Sequence, residues 1–117
     1  GLSAALTACT ATEAPEVAYL GAKVAPMGED LYEFDATIEG ARDIAEVEDY
    51  VTCLVAGYAR ENGQGFARKV RTIVTEEGGV WSADAVYSIT PALPRGAKTI
   101  DAEVTAADCA ARGIPTV

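Results

Sequence analysis

The chain has 117 residues, of which 50% are apolar and 23% are charged, a balance that fits one ordinary globular domain. Its net charge of −9 argues against nucleic acid as a partner, because phosphate backbones bind to basic surfaces. Histidine, the commonest general base, is absent, and the three cysteines contain no Cys-x-x-Cys pair, so we expect no metal and no other cofactor.

Residues 1–9 read Gly-Leu-Ser-Ala-Ala-Leu-Thr-Ala-Cys and resemble the end of a bacterial lipoprotein signal peptide. The last four match a lipobox, in which small residues enter the cleft of a signal peptidase and the cysteine thiol takes a diacylglycerol. The resemblance implies that Cys9 is lipidated and becomes the first mature residue. By resemblance to enterobacterial sorting, Thr10 in place of aspartate suggests the outer membrane. The alternative is an unmodified cysteine in an irregular N-terminus.

The same resemblance divides the chain into three parts. Residues 1–8 are a signal-peptide remnant, residues 9–16 are the lipidated cysteine and a flexible tether, and residues 17–117 are a single domain. The charged start of a signal peptide is missing, so we expect the natural chain to begin further upstream. We therefore expect a lipid-anchored protein on the periplasmic side of the cell envelope.

Two strands are predicted at the start of the domain. The first runs from about Val17 to Val24, and residues 26–30 have the proline, glycine and aspartate of a turn. Leu31 to Glu39 alternates between apolar and polar residues, which is typical of a half-buried strand. Its inward-facing residues are Tyr32, Phe34, Ala36 and Ile38.

A long helix is predicted between Gly40 and Asn62, because the apolar residues there recur at helical spacing and form one stripe. The stripe consists of Ile44, Val47, Val51, Leu54, Val55 and Tyr58. Acidic residues crowd the first turns and Arg60 lies near the end, which complements the helix dipole. Asn62-Gly63 ends the helix.

Residues 66–75 and 80–89 are predicted to form a β-hairpin around Glu76-Glu77-Gly78-Gly79. On the second strand, the residues on one face are Trp81, Ala83, Ala85, Tyr87 and Ile89. On the first strand, the residues on the matching face are Phe66, Val70 and Val74, with the polar Arg68 and Thr72. That face is therefore expected to be only partly buried from water.

A fifth strand and a short helix are predicted after a loop at residues 91–96. The strand residues that alternate with acids are Ile100, Ala102 and Val104. Residues 105–108 resemble a capping box, which starts a helix from about Ala106 to Arg112. The order is ββαβββα, or ββαββα without the fifth strand. It predicts an α+β fold, with the long helix on one face of an antiparallel sheet of four or five strands.

This arrangement resembles small alphaproteobacterial lipoproteins. The shared features are the lipobox and tether, a hairpin at residues 28–34, a helix with Glu-Asp-Tyr at residues 48–50, and Ile-Asp-Ala-Glu-Val at residues 100–104. The resemblance covers most of the chain. Those proteins carry no established activity, so it implies no reaction.

Cys53 and Cys109 are predicted to form a disulfide. At 100° per residue, Cys53 lies nearly opposite the apolar stripe of the long helix, where a free thiol would be exposed. In an oxidising compartment, pairing with Cys109 in the last helix removes that liability. An acylated Cys9 has no thiol to offer. The alternative is two unpaired cysteines in a reduced protein.

The composition and the lipobox favour an interaction or structural module of the cell envelope, anchored in the membrane through acylated Cys9 and docked on an envelope protein. The candidate contact surface consists of Arg68, Trp81 and Tyr87. The alternative is a periplasmic domain that binds a small ligand or adds a peptide strand to a sheet edge. A long outer strand without bulges would favour strand addition.

An enzyme is not expected. Asp35, Asp84 and Asp101 lie on predicted strands, where carboxylates are usually solvated rather than prepared for acid–base chemistry. Two carboxylates that converge in a pocket would favour catalysis.

Overall fold

The computed structural model describes residues 16–96 and 99–117. The predicted signal-peptide remnant, Cys9 and all but the last residue of the predicted tether lie outside these residues. The described chain contains five strands and two helices. They are β1 (Ala18–Gly28), β2 (Leu31–Glu39), α1 (Ile44–Glu61), β3 (Phe66–Glu77), β4 (Val80–Thr90), β5 (Thr99–Asp101) and α2 (Ala102–Arg112).

The five strands form one antiparallel sheet in the order β1-β2-β4-β3-β5. The predicted α+β fold is confirmed, and the fifth strand exists, although it is only three residues long. The turn between β3 and β4 consists of Gly78 and Gly79, whose positive φ angles suit a two-residue hairpin turn.

The apolar stripe of α1 packs on one face of this sheet. Val47, Val51 and Val55 are at most 1% exposed, and they belong to the same core cluster as Phe34 and Ile38 of β2. The predicted alternation of β2 is confirmed. Among the predicted stripe residues, Ile44 at the start of α1 is the exception, because it is 51% exposed.

Side chains at the start of α1 satisfy backbone N–H groups that the helix leaves unpaired. Asp43 is the N-cap, and its Oδ1 accepts the N–H of Glu46 at 3.0 Å. The Glu46 carboxylate in turn accepts the N–H of Arg42 at 2.8 Å. The hydrogen bond that the Asp43 side chain accepts fixes where α1 begins, and aspartate is among the residues preferred at this position.

Tyr50 of α1 attaches the irregular outer strand β1 to the core. Its hydroxyl accepts the N–H of Gly21 at 2.8 Å, and its ring lies 4.8 Å from that of Tyr19. Gly21 has a φ of 94° and lies at a register shift between Tyr19 and Ala22. Burial raises the pKa of Tyr50, whereas the hydrogen bond from the N–H of Gly21 lowers it.

The predicted inward face of β3 is wrong in its first half. The register shifts between Lys69 and Arg71, which makes a bulge. Before the bulge, Ala67 faces α1 and is fully buried. The sequence pattern instead predicts that Phe66 faces α1. Val70 itself is 52% exposed. One extra residue shifts the alternation by one position, and hydrophobic spacing does not reveal it.

α2 begins earlier than predicted. Asp101 is its N-cap, and its Oδ1 accepts the N–H groups of Glu103 at 3.0 Å and of Val104 at 3.1 Å. Ala102 and Val104 therefore lie in the helix, and both the extended strand and the capping box at residues 105–108 are wrong. In a helix these two residues are about 200° apart, which explains why Ala102 is buried and Val104 is exposed.

α2 covers the side of α1 that faces away from the sheet. Cys53 and Cys109 are joined in a disulfide, as predicted, and both are 1% exposed. Arg112 adds an ion pair to Asp49 at 2.7 Å. In the described residues, neither helix is long and apolar enough to cross a membrane.

Reduction of the Cys53–Cys109 bond should lower the free energy of unfolding by about 4 kcal/mol, because the bond closes a loop with a sequence separation of 56. α2 should open first, since it packs mainly on α1. Hydrogen exchange with and without reductant measures both effects. Faster exchange in α2 with protection retained in β2 and β4 is expected, and uniform loss of protection would contradict the order of opening.

Candidate functional site

The predicted contact surface of Arg68, Trp81 and Tyr87 does not exist as one surface. Tyr87 is 2% exposed and belongs to the core under α1. Trp81 lies on the same face of β4 and packs against that core while only partly buried. Arg68 pairs with Ser88, whose side chain lies on the other face of the sheet. The bulge in β3 is the reason, because it reverses which residues before it face α1.

Tyr87 and Arg68 both have structural partners. The Tyr87 hydroxyl interacts with Thr52 of α1, and burial raises the pKa of this tyrosine while the hydrogen bond with Thr52 lowers it. The Arg68 Nε donates to the carbonyl oxygen of Arg95 at 3.3 Å, which holds the loop after β4. These contacts support the fold, and Tyr87 is too deeply buried to contact a partner.

The other face of the sheet, which we call the open face, has no helix packed on it within the described residues. Its central residues come from β2, β3 and β4. They are Glu33, Asp35, Arg71, Ile73, Ser82, Asp84 and Val86. Antiparallel sheets commonly leave one face in water, and the charged residues fit that environment.

Three carboxylates converge on the open face beside Arg71. Asp35 and Asp84 are direct partners in the β2–β4 register, and Arg71 Nη1 lies 3.7 Å from Asp84 Oδ2. The pKa of Glu33 is raised, first by the hydrogen bond that its protonated form makes with Asp84, then by the charge of Asp84, partial desolvation and the charge of Asp35. Arg71 lowers it. Oδ1 of Asp84 is buried and has no hydrogen-bond partner among the described residues.

Only one carboxylate of this cluster lines the cleft on the open face. The cleft of about 560 Å³ on the open face is lined by Lys23, Asp35, Thr37 and Ser82, among others, but not by Glu33 or Asp84. No group of three or more cysteine, aspartate or glutamate side chains in the described residues is arranged to hold a metal ion. Asp101, the third predicted carboxylate, caps α2 instead.

The two edges of the sheet differ. β1 is 11 residues long, but it contains two register shifts and Pro26, features that oppose pairing with another strand. On the other side, β5 pairs with only Phe66 to Arg68 of β3. In the described part of the chain, residues 71–77 therefore have no strand on their outer side. We call this regular segment the β3 edge.

The β3 edge reads Arg-Thr-Ile-Val-Thr-Glu-Glu and is rich in β-branched residues, which favour strands. Ile73 is 54% exposed, so an apolar side chain is exposed at a row of unpaired backbone groups. The hydrophobic pattern predicted this strand but not its free edge, because spacing within a strand does not give the order of strands in a sheet. Of the features on this surface, the edge offers the clearest means of binding another protein.

Glu33→Gln should stabilise the protein at neutral pH. Because its pKa is raised, Glu33 holds its proton more tightly in the folded chain, so the folded state loses stability as the pH rises from about 4.5 through the folded pKa. Urea titrations between about pH 4 and pH 7 should show a smaller decline for the variant than for the wild type. Glu39→Gln removes the same charge at the end of β2 and serves as the control. An unchanged decline in Glu33→Gln would contradict the coupling to Asp84.

The comparisons with known proteins give a family. Residues 19–113 match the family model described as the YNQ4 C-terminal domain. The chain is also 29% identical over 109 residues to an "Uncharacterized 26.9 kDa protein in nqo8 5'region" of Paracoccus denitrificans, which supports the alphaproteobacterial resemblance. The alignment covers 88% of this chain but 43% of that relative, so the chain spans less than half the relative's length. No solved structure matches. Because the family model covers most of its length, the chain belongs to the YNQ4 C-terminal domain family.

Proposed function

We propose that this chain is a lipid-anchored interaction module of the bacterial cell envelope that docks on a protein partner by strand addition at the β3 edge. The observation that carries the proposal is the free edge itself. Within the described residues, no strand pairs with the outer side of residues 71–77, and such a row of N–H and C=O groups is a template for a further strand. Proteins usually cover such edges or end them early, so an uncovered regular segment favours a binding role.

The side chains of the β3 edge support the same proposal. Main-chain hydrogen bonds supply affinity in strand addition, whereas side chains on alternate positions supply specificity. On the open face, Arg71, Ile73 and Glu77 alternate and would contact the side chains of an added strand. Thr72 and Val74 alternate on the side of α1.

Two observations support the proposed location. The lipobox that ends at Cys9 supports processing and lipidation, with attachment to the membrane through acylated Cys9 and, from Thr10, sorting to the outer membrane. The disulfide between Cys53 and Cys109 is typical of proteins from oxidising compartments, such as the periplasm. The net charge of −9 argues against nucleic acid as a partner.

The second candidate function is the binding of an extended peptide at the same edge. The free segment favours it, because seven regular residues can pair with a short peptide as well as with a strand of a folded protein. A small apolar ligand is less favoured. The cleft between β1, β2 and α1 that includes Phe34, Leu54 and Tyr58 has a volume of about 190 Å³, below the roughly 300 Å³ of most ligand pockets.

A photo-crosslinking residue at position 73 should capture the docking partner in the native membrane. Position 20 is the matched control, because Leu20 is 55% exposed and Ile73 is 54% exposed, yet Leu20 lies on the irregular outer strand β1. Mass spectrometry of the adducts should identify a protein or peptide captured through position 73 and not through position 20. Equal capture at both positions, or none at position 73, would refute docking at the β3 edge.

Lipidation should be tested on protein extracted from its own membrane. The expected mature form begins at Cys9 and carries acyl chains, so its intact mass should lack residues 1–8 and include the lipid. Cys9→Ser should abolish both the acyl mass and the membrane attachment. A wild-type protein that retains residues 1–8 without acyl chains would overturn the lipid anchor. It would not affect docking at the β3 edge, which the crosslinking experiment tests separately.

A further inference from the structure

We propose that the partner at the β3 edge is a second copy of this chain, paired antiparallel through residues 71–77 about a two-fold axis at Val74. The inference rests on the proposed docking edge and names its occupant. It joins two five-stranded sheets into one continuous sheet of ten strands. Because opposite residues in an antiparallel pair point to the same face, both copies of α1 lie on the same side of that sheet.

The order of charges along β3 fits antiparallel pairing with itself. Bases occur at its start, at Lys69 and Arg71, and acids at its end, at Glu76 and Glu77. In an antiparallel pair, the start of one strand lies opposite the end of the other. Around Val74, Arg71 of each copy faces Glu77 of the other, and both side chains lie on the open face. Two opposite-charge pairs therefore form, one at each end of the shared segment.

The other side chains fit this register as well. Ile73 faces Thr75 of the second copy on the open face, and Val74 faces Val74 on the side of α1. These are β-branched residues, whose cross-strand contacts stabilise sheets. Each of these pairs joins two residues of the same parity, so the residues whose backbone groups point outward face each other. The main-chain hydrogen bonds of the new pair can therefore form in regular alternation.

β5 opposes the register whose two-fold axis lies one residue earlier, at Ile73. Thr99 of β5 already pairs with Arg68, so the outer side of β3 is occupied up to that residue. Pairing about Val74 uses residues 71–77 and leaves Lys69 and Val70 between the added strand and β5. If the two-fold axis lay at Ile73, Gly78 of the second copy would lie opposite Arg68. Thr99 of β5 already pairs with Arg68 on that side.

The net charge of −9 does not prevent this association. Residues 69–77 carry two bases and two acids, so the contacting segments are balanced. At physiological salt the screening length is about 8 Å, which weakens repulsion between charges elsewhere on the two copies. The contact is smaller than a standard protein interface, so we expect a reversible dimer rather than a permanent one.

Sedimentation of the purified chain in a Cys9→Ser background, at physiological salt, tests the dimer. Its apparent mass should rise towards twice the monomer mass between micromolar and millimolar concentrations. Arg71→Glu and Glu77→Arg should each weaken the dimer about tenfold, since each replaces two attractive pairs with two repulsive ones, and the double variant should restore it. Lys23→Glu on β1 makes the same change of charge as Arg71→Glu, away from the β3 edge, and should have no effect.

Glu77→Arg keeps this test independent of folding. Arg71 also contacts Asp84, so Arg71→Glu alone could weaken the fold, whereas Glu77→Arg leaves that contact in place. A chain that stays monomeric at millimolar concentration overturns the inference. So does a dimer that is insensitive to Glu77→Arg.

Single cysteines test the register. Val74 lies opposite itself, at a Cα separation of about 5 Å that a disulfide can bridge, so Val74→Cys should crosslink two copies on mild oxidation. Ile73→Cys places a more exposed thiol diagonally, at about 7 Å, and should crosslink much less. Stronger crosslinking by Ile73→Cys would overturn the axis at Val74.

The two proposals fail in different ways. If the purified chain is monomeric but position 73 captures a different protein in the membrane, the second copy is excluded and docking at the β3 edge stands. If position 73 captures the chain itself, both proposals are supported. If it captures nothing and the chain is monomeric, both are overturned.

Discussion

The burial of α1 is the constraint on which the rest of the structure depends. One side of this helix packs its apolar stripe on the sheet, with Val47, Val51 and Val55 almost fully buried. The opposite side also carries small and apolar residues, including Cys53, that need cover. Burying apolar area is the main favourable term in folding, so a helix with two such sides requires a layer on each. The sheet provides one layer and α2 provides the other.

The need to cover the outer side of α1 determines how the sheet ends. After three residues of β5, Asp101 caps α2, and the chain leaves the sheet to pack on α1. Cys109 then fixes α2 to Cys53. β5 is consequently too short to cover β3 beyond Arg68, and the β3 edge stays free in the described residues. The free edge is thus a consequence of how the chain completes its core.

The surface of the sheet shows two different physical environments. The centre of the open face carries Glu33, Asp35 and Asp84 beside Arg71, a set of charges that favours contact with water. The β3 edge combines unpaired backbone groups with exposed β-branched residues, which favours contact with another strand. An interaction module needs only the second of these features, and it needs neither a deep pocket nor a prepared acid–base pair.

The sequence alone determined the order of the elements, the buried stripe of α1 and the alternation of β2 and β4, because these depend on the spacing of nearby residues. It also determined the disulfide, since the helical position of Cys53 placed it opposite the stripe. The tertiary structure decided the bulge near Val70, the role of Asp101 as a cap, and the strand order that leaves the β3 edge free. The bulge and the strand order depend on pairing between residues far apart in the chain, whereas the Asp101 cap is a local contact that the apolar–acidic alternation of residues 100–104 conceals. Local periodicity carries no information about such partners, so the candidate surface of Arg68, Trp81 and Tyr87 was wrong where the elements themselves were right.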